Sequence, residues 1–225
     1  TLAGGIAHDF NNLLAVVLGN IFFAKTLTER TSKIYQKLVD AERATLKGRE
    51  LTYKLLAFSR SGASSKRKMS MKDIIKNSTG LALSGSPIRS VVSIAEDLYP
   101  IEINEEQIGE VIHNIVMNAR EASPPGGVVT VRAENVMVRS GDGIPLSEGN
   151  YILISVEDQG GGISAEDLPR IFDPYFTTKE LGNVKGMGLG LAISHSIISN
   201  HGGFMTAGSQ MGVGTTLLIY LPACT

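Results

Sequence analysis

Apolar residues in the first sixty positions recur at helical spacing. Leu2, Ile6, Leu13, Val17 and Ala24 predict one helix with a single buried stripe. The polar break Thr28-Glu29-Arg30-Thr31-Ser32 predicts a short turn, with Thr31 or Ser32 capping a second helix. On that helix Ile34, Leu38, Ala41, Ala44, Gly48, Leu51, Leu55 and Phe58 keep the same period. Two helices joined by so short a loop make an antiparallel hairpin. A hairpin is too thin to bury both apolar faces, and pairing two copies into a four-helix bundle solves this, so a homodimer is expected.

The pattern changes after the serine-rich, basic stretch SRSGASSKRKM (59–69), which predicts a linker. MKDIIKNSTGLAL predicts a helix and RSVVSIAE a strand. NEEQIGEVIHNIVMNAREAS predicts a long helix, closed by Pro124-Pro125-Gly126-Gly127. VVTVRAENVMV and YILISVED alternate or are β-branched, as strands do; GLGLAISHSIISNHGG predicts a helix between glycines, and GTTLLIYLP a last strand. Without strict β-α-β alternation, these elements predict an α+β sandwich, one mixed sheet under a layer of helices. The expected domains are therefore an α-helical hairpin, 1–62, and an α+β domain, 63–225.

Composition narrows the class only modestly. With 225 residues, 43% hydrophobic and 19% charged, the chain has the make-up of an ordinary globular protein. Its formal net charge of −1 offers no electrostatic argument for a nucleic-acid or membrane partner. The lone Cys224 cannot form an internal disulfide, which favours a reducing, cytoplasmic setting. No apolar run approaches the roughly 20 residues of a membrane helix. The chain opens on Thr1, inside a helical pattern, and is expected to be a piece of a longer protein.

Two glycine-rich stretches carry candidate chemistry. EDQGGGIS (157–164) follows a strand, and GNVKGMGLGLAIS (182–194) opens a helix with Gly186, Gly188 and Gly190. Glycines let a backbone approach a polyanion, and free N–H groups at a helix start favour phosphate. Either stretch alone is more often a plain turn. Neither has the dinucleotide register, and no GxxxxGK[ST] occurs. Upstream, Asn114 and Asn118 share one face of the long helix, which in isolation reads as surface solvation.

In this order the parts resemble the ATP-binding domain shared by sensor histidine kinases, DNA gyrase and mismatch-repair ATPases. NIVMNAREA is similar to that family's asparagine box, DQGGGI to its first glycine box, IFDPYFTTK to its phenylalanine box and GMGLGL to its second glycine box. With the closing GVGTTLLIYLP these span 104–222. The resemblance implies ATP and Mg²⁺ as cofactors, with Asn118 holding the metal and Asp158 accepting from the adenine amino group. It implies that Gly160, Gly162 and Ile163 pass close to the base, and that a lid of about 164–187 carries Lys179 to the γ-phosphate. Gly186, Met187, Gly188, Leu189, Gly190 and Leu191 would receive the phosphates, while Asn114 and Thr215 complete the pocket and Phe172 packs the lid's root. Glu121 stands where many kinases of the family carry a lysine, with Arg120 the candidate replacement. Asn114 stands where the hydrolysing relatives have a water-activating glutamate, and an amide cannot serve as a general base.

GGIAHDFNNLL likewise resembles the phosphoacceptor box of histidine kinases of the nitrogen-regulation type, with Leu13 where the commoner version has proline. ELTYKLLAFSR (50–60) fits the same group. By itself a lone histidine on a helix is usually just solvated; beside an ATP domain lacking a nucleophile, His8 becomes the expected phosphoacceptor. Asp9 would orient its imidazole, and Asn12 would position a water for dephosphorylating a partner aspartate. The implied activity is autophosphorylation on His8 and transfer to the aspartate of a response-regulator receiver domain. An ATPase switch of the gyrase class and a non-catalytic ATP-binding module are the alternatives. His113 points about 100° away from Asn114 and is expected to pack or be solvated, and His195 and His201, without a neighbouring acid, are expected to be structural.

Overall fold

The computed structural model describes residues 2–59, 66–174, 176–177 and 188–224, including, within the first two helices, the side chains of 13–46 and 48. The chain divides into two compact units, Thr1–Ser64 and Ser65–Thr225. No helix among the described residues is long and apolar enough to cross a membrane.

The first unit is a helical hairpin of α1 (Leu2–Thr26) and α2 (Lys33–Ser59). Ser32 caps α2 by accepting the Ile34 N–H at 3.0 Å, one of the two caps expected. The residues of α1 sheltered in the hairpin are Leu14, Leu18, Ile21, Ala24 and Lys25; of the anticipated stripe Ala24 is among them, while the side chains of Leu2 and Ile6 lie outside the described residues. Leu14 faces the small Gly48, where an added Cβ would lie 3.7 Å from it, and Lys25 pairs with Glu42 at 2.7 Å. Leu13 and Val17, expected inside, are 63% and 44% exposed. They lie one residue, about 100°, round the helix from the sheltered stripe.

The second unit has the order β1 (Arg67–Met69), α3 (Met71–Leu83), β2 (Arg89–Ile94), β3 (Ile101–Ile103), α4 (Glu105–Ala122), β4 (Val128–Val138), β5 (Gly149–Glu157), a short 3-10 helix (Leu168–Arg170), α5 (Gly190–Asn200), β6 (Phe204–Gln210) and β7 (Gly214–Pro222). The main sheet runs β2-β4-β5-β7-β6, parallel only between β2 and β4. It is the mixed sheet with helices that the pattern predicts. The end of the expected linker differs: Arg67–Met69 pairs antiparallel with Ile101–Ile103 as a separate two-stranded ribbon.

Local chemistry sets the helix ends. Ser70 and Asn104 cap α3 and α4 by accepting N–H groups from Lys72 and Gln107. Glu105 and Glu106 in the first turn of α4 and Arg120 in its last complement the helix dipole. Pro124 then forbids continuation. Six apolar residues of α4, from Ile108 to Ala119, are buried, as are Val129, Val131, Ile152, Ile154 and Ile219 on alternate positions of the sheet. Burying each such side chain contributes about 1.5–3 kcal/mol, so this layer dominates the unit's stability. The other sheet face carries a smaller cluster of Val138, Tyr151 and Tyr220, roofed by Ile144 and Leu146.

Candidate functional site

The end of β5 delivers Asp158, and β7 holds it there. The Asp158 N–H donates to the Thr215 carbonyl at 2.9 Å, prolonging the pairing of Glu157 with Thr216 by one residue. The Asp158 side chain is 8% exposed, and Oδ1 accepts the Gly160 N–H at 2.8 Å. Burial raises its pKa above the ordinary 3.8, a shift opposed by the N–H groups of Gly160 and Thr215. A buried carboxylate with two backbone donors and no salt bridge among the described residues can accept one more hydrogen bond from a ligand.

The loop after Asp158 is pressed against the β6–β7 hairpin by contacts only glycine permits. A Cβ at Gly160 would come within 2.6 Å of the Ala122 carbonyl oxygen. At Gly162, where φ is +74°, it would strike the Gln210 carbonyl, and at Gly214 the Asp158 carbonyl. Two hydrogen bonds tie the same surfaces: Gly212 N–H to Gly161 O at 2.8 Å and Ile163 N–H to Ser209 Oγ at 2.8 Å. Thr215 is buried beside Asp158, with Oγ1 2.9 Å from Ser209 Oγ.

The second half of the site is where α4 meets the start of α5. Asn114 and Asn118 are both half-buried on α4, and a Cβ at Gly190 would sit 4.0 Å from Asn114 Cγ. The asparagine face thus borders the α5 N-terminus, whose first N–H groups have no partner within the helix. Gly188 turns the chain into α5 with φ +65°, Leu189 is buried at the cap position, and Leu191 is half-buried in the first turn. An apolar cap cannot satisfy those N–H groups, which leaves them available to an anion.

Arg120 corrects one expectation. Its guanidinium donates to the Ala82 carbonyl of α3 at 2.7 Å. Two residues beyond Asn118 it is turned about 200° round the helix, so it clamps α3 to α4 and does not share the asparagine face. The Phe172 ring lies 5.1 Å from that of His195. Beside it, Ile171 is buried and Arg170 lies over the Phe176 ring at 4.6 Å. Lys179, Gly186 and Met187 lie outside the described residues, as do the side chains of His8, Asp9 and Asn12, which α1 carries.

Ser209, Gln210 and Gly214 were missed by sequence reasoning. The signal was available only in part: Gly214 belongs to GVGTT, but nothing in the sequence pairs Ser209 with Ile163. Among the described residues no group of three His, Cys, Asp or Glu side chains could hold a metal. A hard cation here would instead use the Asn118 amide oxygen together with oxygens of its ligand.

A sheet with helices on one face, a buried acceptor at a strand end and a glycine-opened helix beside an asparagine pair define a nucleotide-binding class. Residues 103–225 match the family described as histidine kinase-, DNA gyrase B-, and HSP90-like ATPase, and the chain belongs to it. Within that family it is similar to sensor kinases. It is 35% identical to Sensor kinase CckA of Brucella abortus over 98% of this chain and 24% of that protein. It is 31% identical to Sensor histidine kinase ZraS of Escherichia coli over 98% of this chain and 45% of that one. The chain thus spans less than half the length of these relatives. The crystal structure of full-length ShkA in complex with AMPPNP shares the fold, with a TM-score of 0.73 over 100% of this chain and 46% of that one at 22% identity.

Proposed function

We propose that this chain is the catalytic core of a homodimeric, cytoplasmic sensor histidine kinase that phosphorylates itself on His8 and passes the phosphoryl group to an aspartate of a response-regulator receiver domain. The observation that carries the reading is the buried Asp158 on one side and the Asn114–Gly190 contact on the other, a base acceptor and a phosphate-receiving helix start within one unit. Similarity to sensor kinases over 98% of the chain extends the reading to the hairpin that bears His8.

In this reading Asp158 accepts from the adenine amino group while Gly160, Gly162 and Ile163 line the base. Asn114, Gly186, Met187, Gly188, Leu189, Gly190 and Leu191 surround the phosphates, and Lys179 reaches the γ-phosphate. The Asn118 amide oxygen suits Mg²⁺, which when bound neutralises phosphate charge. One imidazole nitrogen of His8 attacks the γ-phosphorus. The phosphorus–oxygen bond to the β-phosphate breaks, ADP leaves with that electron pair, and the ring's other N–H is held by Asp9. Attack by a receiver aspartate then moves the phosphoryl group from nitrogen to oxygen. Asn12 positions a water that attacks the aspartyl phosphate, breaking its phosphorus–oxygen bond to give inorganic phosphate and the free aspartate.

The homodimer is supported by the hairpin's surface. Leu13, Val16 and Phe23 of α1 and Leu27 just past its end are each more than 60% exposed along one stripe, an apolar face that a second copy would cover in a four-helix bundle.

The test is incubation of the chain with Mg²⁺ and ATP labelled at the γ-phosphate. Acid-labile, alkali-stable label is expected on the wild type and absent from His8→Ala. Label persisting in the variant would place the acceptor elsewhere, and steady ATP turnover without labelled protein would favour an ATPase switch. In the same assay with a labelled receiver, Asn12→Ala should slow dephosphorylation while sparing self-labelling.

A further inference from the structure

Ser209 lies outside the motifs of the nucleotide site, yet its hydroxyl has three partners. It donates to the Gly214 carbonyl at 2.9 Å, lies 2.9 Å from Thr215 Oγ1, and accepts the Ile163 N–H at 2.8 Å. A serine hydroxyl has one proton and two lone pairs. The Gly214 carbonyl can only accept, so it takes that proton. The Ile163 N–H can only donate, so it takes one lone pair. The remaining lone pair is then satisfied only if Thr215 donates its own proton to Ser209.

The consequence falls on Thr215. Its hydrogen is committed to Ser209, so Oγ1 presents lone pairs alone. Asp158, one residue past β5, continues the register opposite Thr215 of β7 through its N–H bond to the Thr215 carbonyl, and each residue is 8% exposed. Directly opposed residues of an antiparallel pair project to the same face. Asp158 and Thr215 therefore present acceptors on one face of the sheet, and the Thr215 hydroxyl is not available as a donor.

We infer that Ser209 is a positioning residue for base selectivity: by fixing the Thr215 hydroxyl as an acceptor, it makes the pocket favour a purine with an amino group at position 6 over one with a carbonyl. This inference rests on the ATP-binding reading above. An amino group, directly or through a water, supplies donors to both acceptors. A 6-oxo purine brings its N1–H as a single donor for one acceptor; its carbonyl then faces lone pairs on the other, and the Thr215 proton cannot rotate to meet it without abandoning Ser209.

Binding of ATP and of ITP, its 6-oxo counterpart, to the full chain by titration calorimetry tests this. The wild type should prefer ATP. Ser209→Ala frees the Thr215 hydroxyl, and the ATP-over-ITP preference should shrink about tenfold, the scale of one mispaired buried polar group. Ser209→Thr keeps the hydroxyl and should restore the preference. Because Ser209 acts through Thr215, Ser209→Ala combined with Thr215→Val should show the same preference as Thr215→Val alone. An unchanged ATP/ITP ratio in Ser209→Ala, or additive losses in the double variant, would overturn the assignment. Should the alanine variant not fold, Ser209→Cys, of similar size with a feeble donor, decides by the same ratio. Wild-type protein that binds neither nucleotide would instead overturn the ATP-binding reading itself.

Discussion

At the scale of the residue, Asp158 shows how the site is held ready at some cost to the free fold. Its carboxylate is buried, and the two N–H groups it accepts from do not fully replace the lost water, so its pKa is raised. A raised carboxyl pKa means the folded state binds the proton more readily than the unfolded chain does. The desolvation penalty is therefore absent below pH 3.8 and appears as pH rises through the raised folded value. Asp158→Asn removes the titrating charge. Relative to that variant, the wild type should gain stability as pH falls towards 3.8, read from melting temperatures of the two proteins side by side. At neutral pH the same variant should bind ATP at least about tenfold more weakly, because a charge-assisted hydrogen bond to the base is lost.

At the scale of the element, α4 and α5 are joined end to end by His201. Its Nε2 accepts the backbone N–H of Asn104, the α4 cap residue, at 3.1 Å, and Nδ1–H donates to the Ile197 carbonyl at 2.8 Å. The Nε2 contact requires the neutral ring, whereas the Nδ1–H bond survives protonation and opposes the shift; burial, with Lys66 contributing, still lowers the pKa below 6.5. Here the unfolded state is the one that binds the proton more readily. Stability is thus complete above about pH 6.5 and is lost as pH falls from there towards the lower folded value. Melting temperature should drop over that window in the wild type, and the drop should flatten in His201→Gln. The long elements were legible in the sequence because α4, β4 and β5 each keep one period over many residues. Other parts were not. Arg67–Met69 and Ile101–Ile103 are three-residue strands, one within a basic run, that exist only by pairing with each other. Phe204–Gln210, to which the sequence pattern assigns no element, is a strand paired with β7. Of the site, the box residues were legible from their order along the chain, whereas Arg120 was misplaced because its tie to Ala82 depends on where α3 lies. Ser209 was invisible for the same reason, being separated from Ile163 by 46 residues.

At the scale of the molecule, each unit closes contacts of its own, and every described residue of the base and phosphate site belongs to the second, Ser65–Thr225. A protein of residues 65–225 should fold alone and bind ATP within about twofold of the full chain, while lacking any self-labelling, measured by calorimetry and label transfer; the buried layer of α4 against the sheet supplies the required core. The glycine contacts have one further consequence, for inhibition. The loop after Asp158 is close-packed main chain, and a side chain at Gly160, Gly162 or Gly214 would collide with the carbonyls of Ala122, Gln210 or Asp158. By contrast, a Cβ at Gly161 meets nothing within 4 Å. A compound that filled this space and grasped Asp158 would leave few routes to resistance, since the mutations that could evict it would also dismantle the pocket the cell needs.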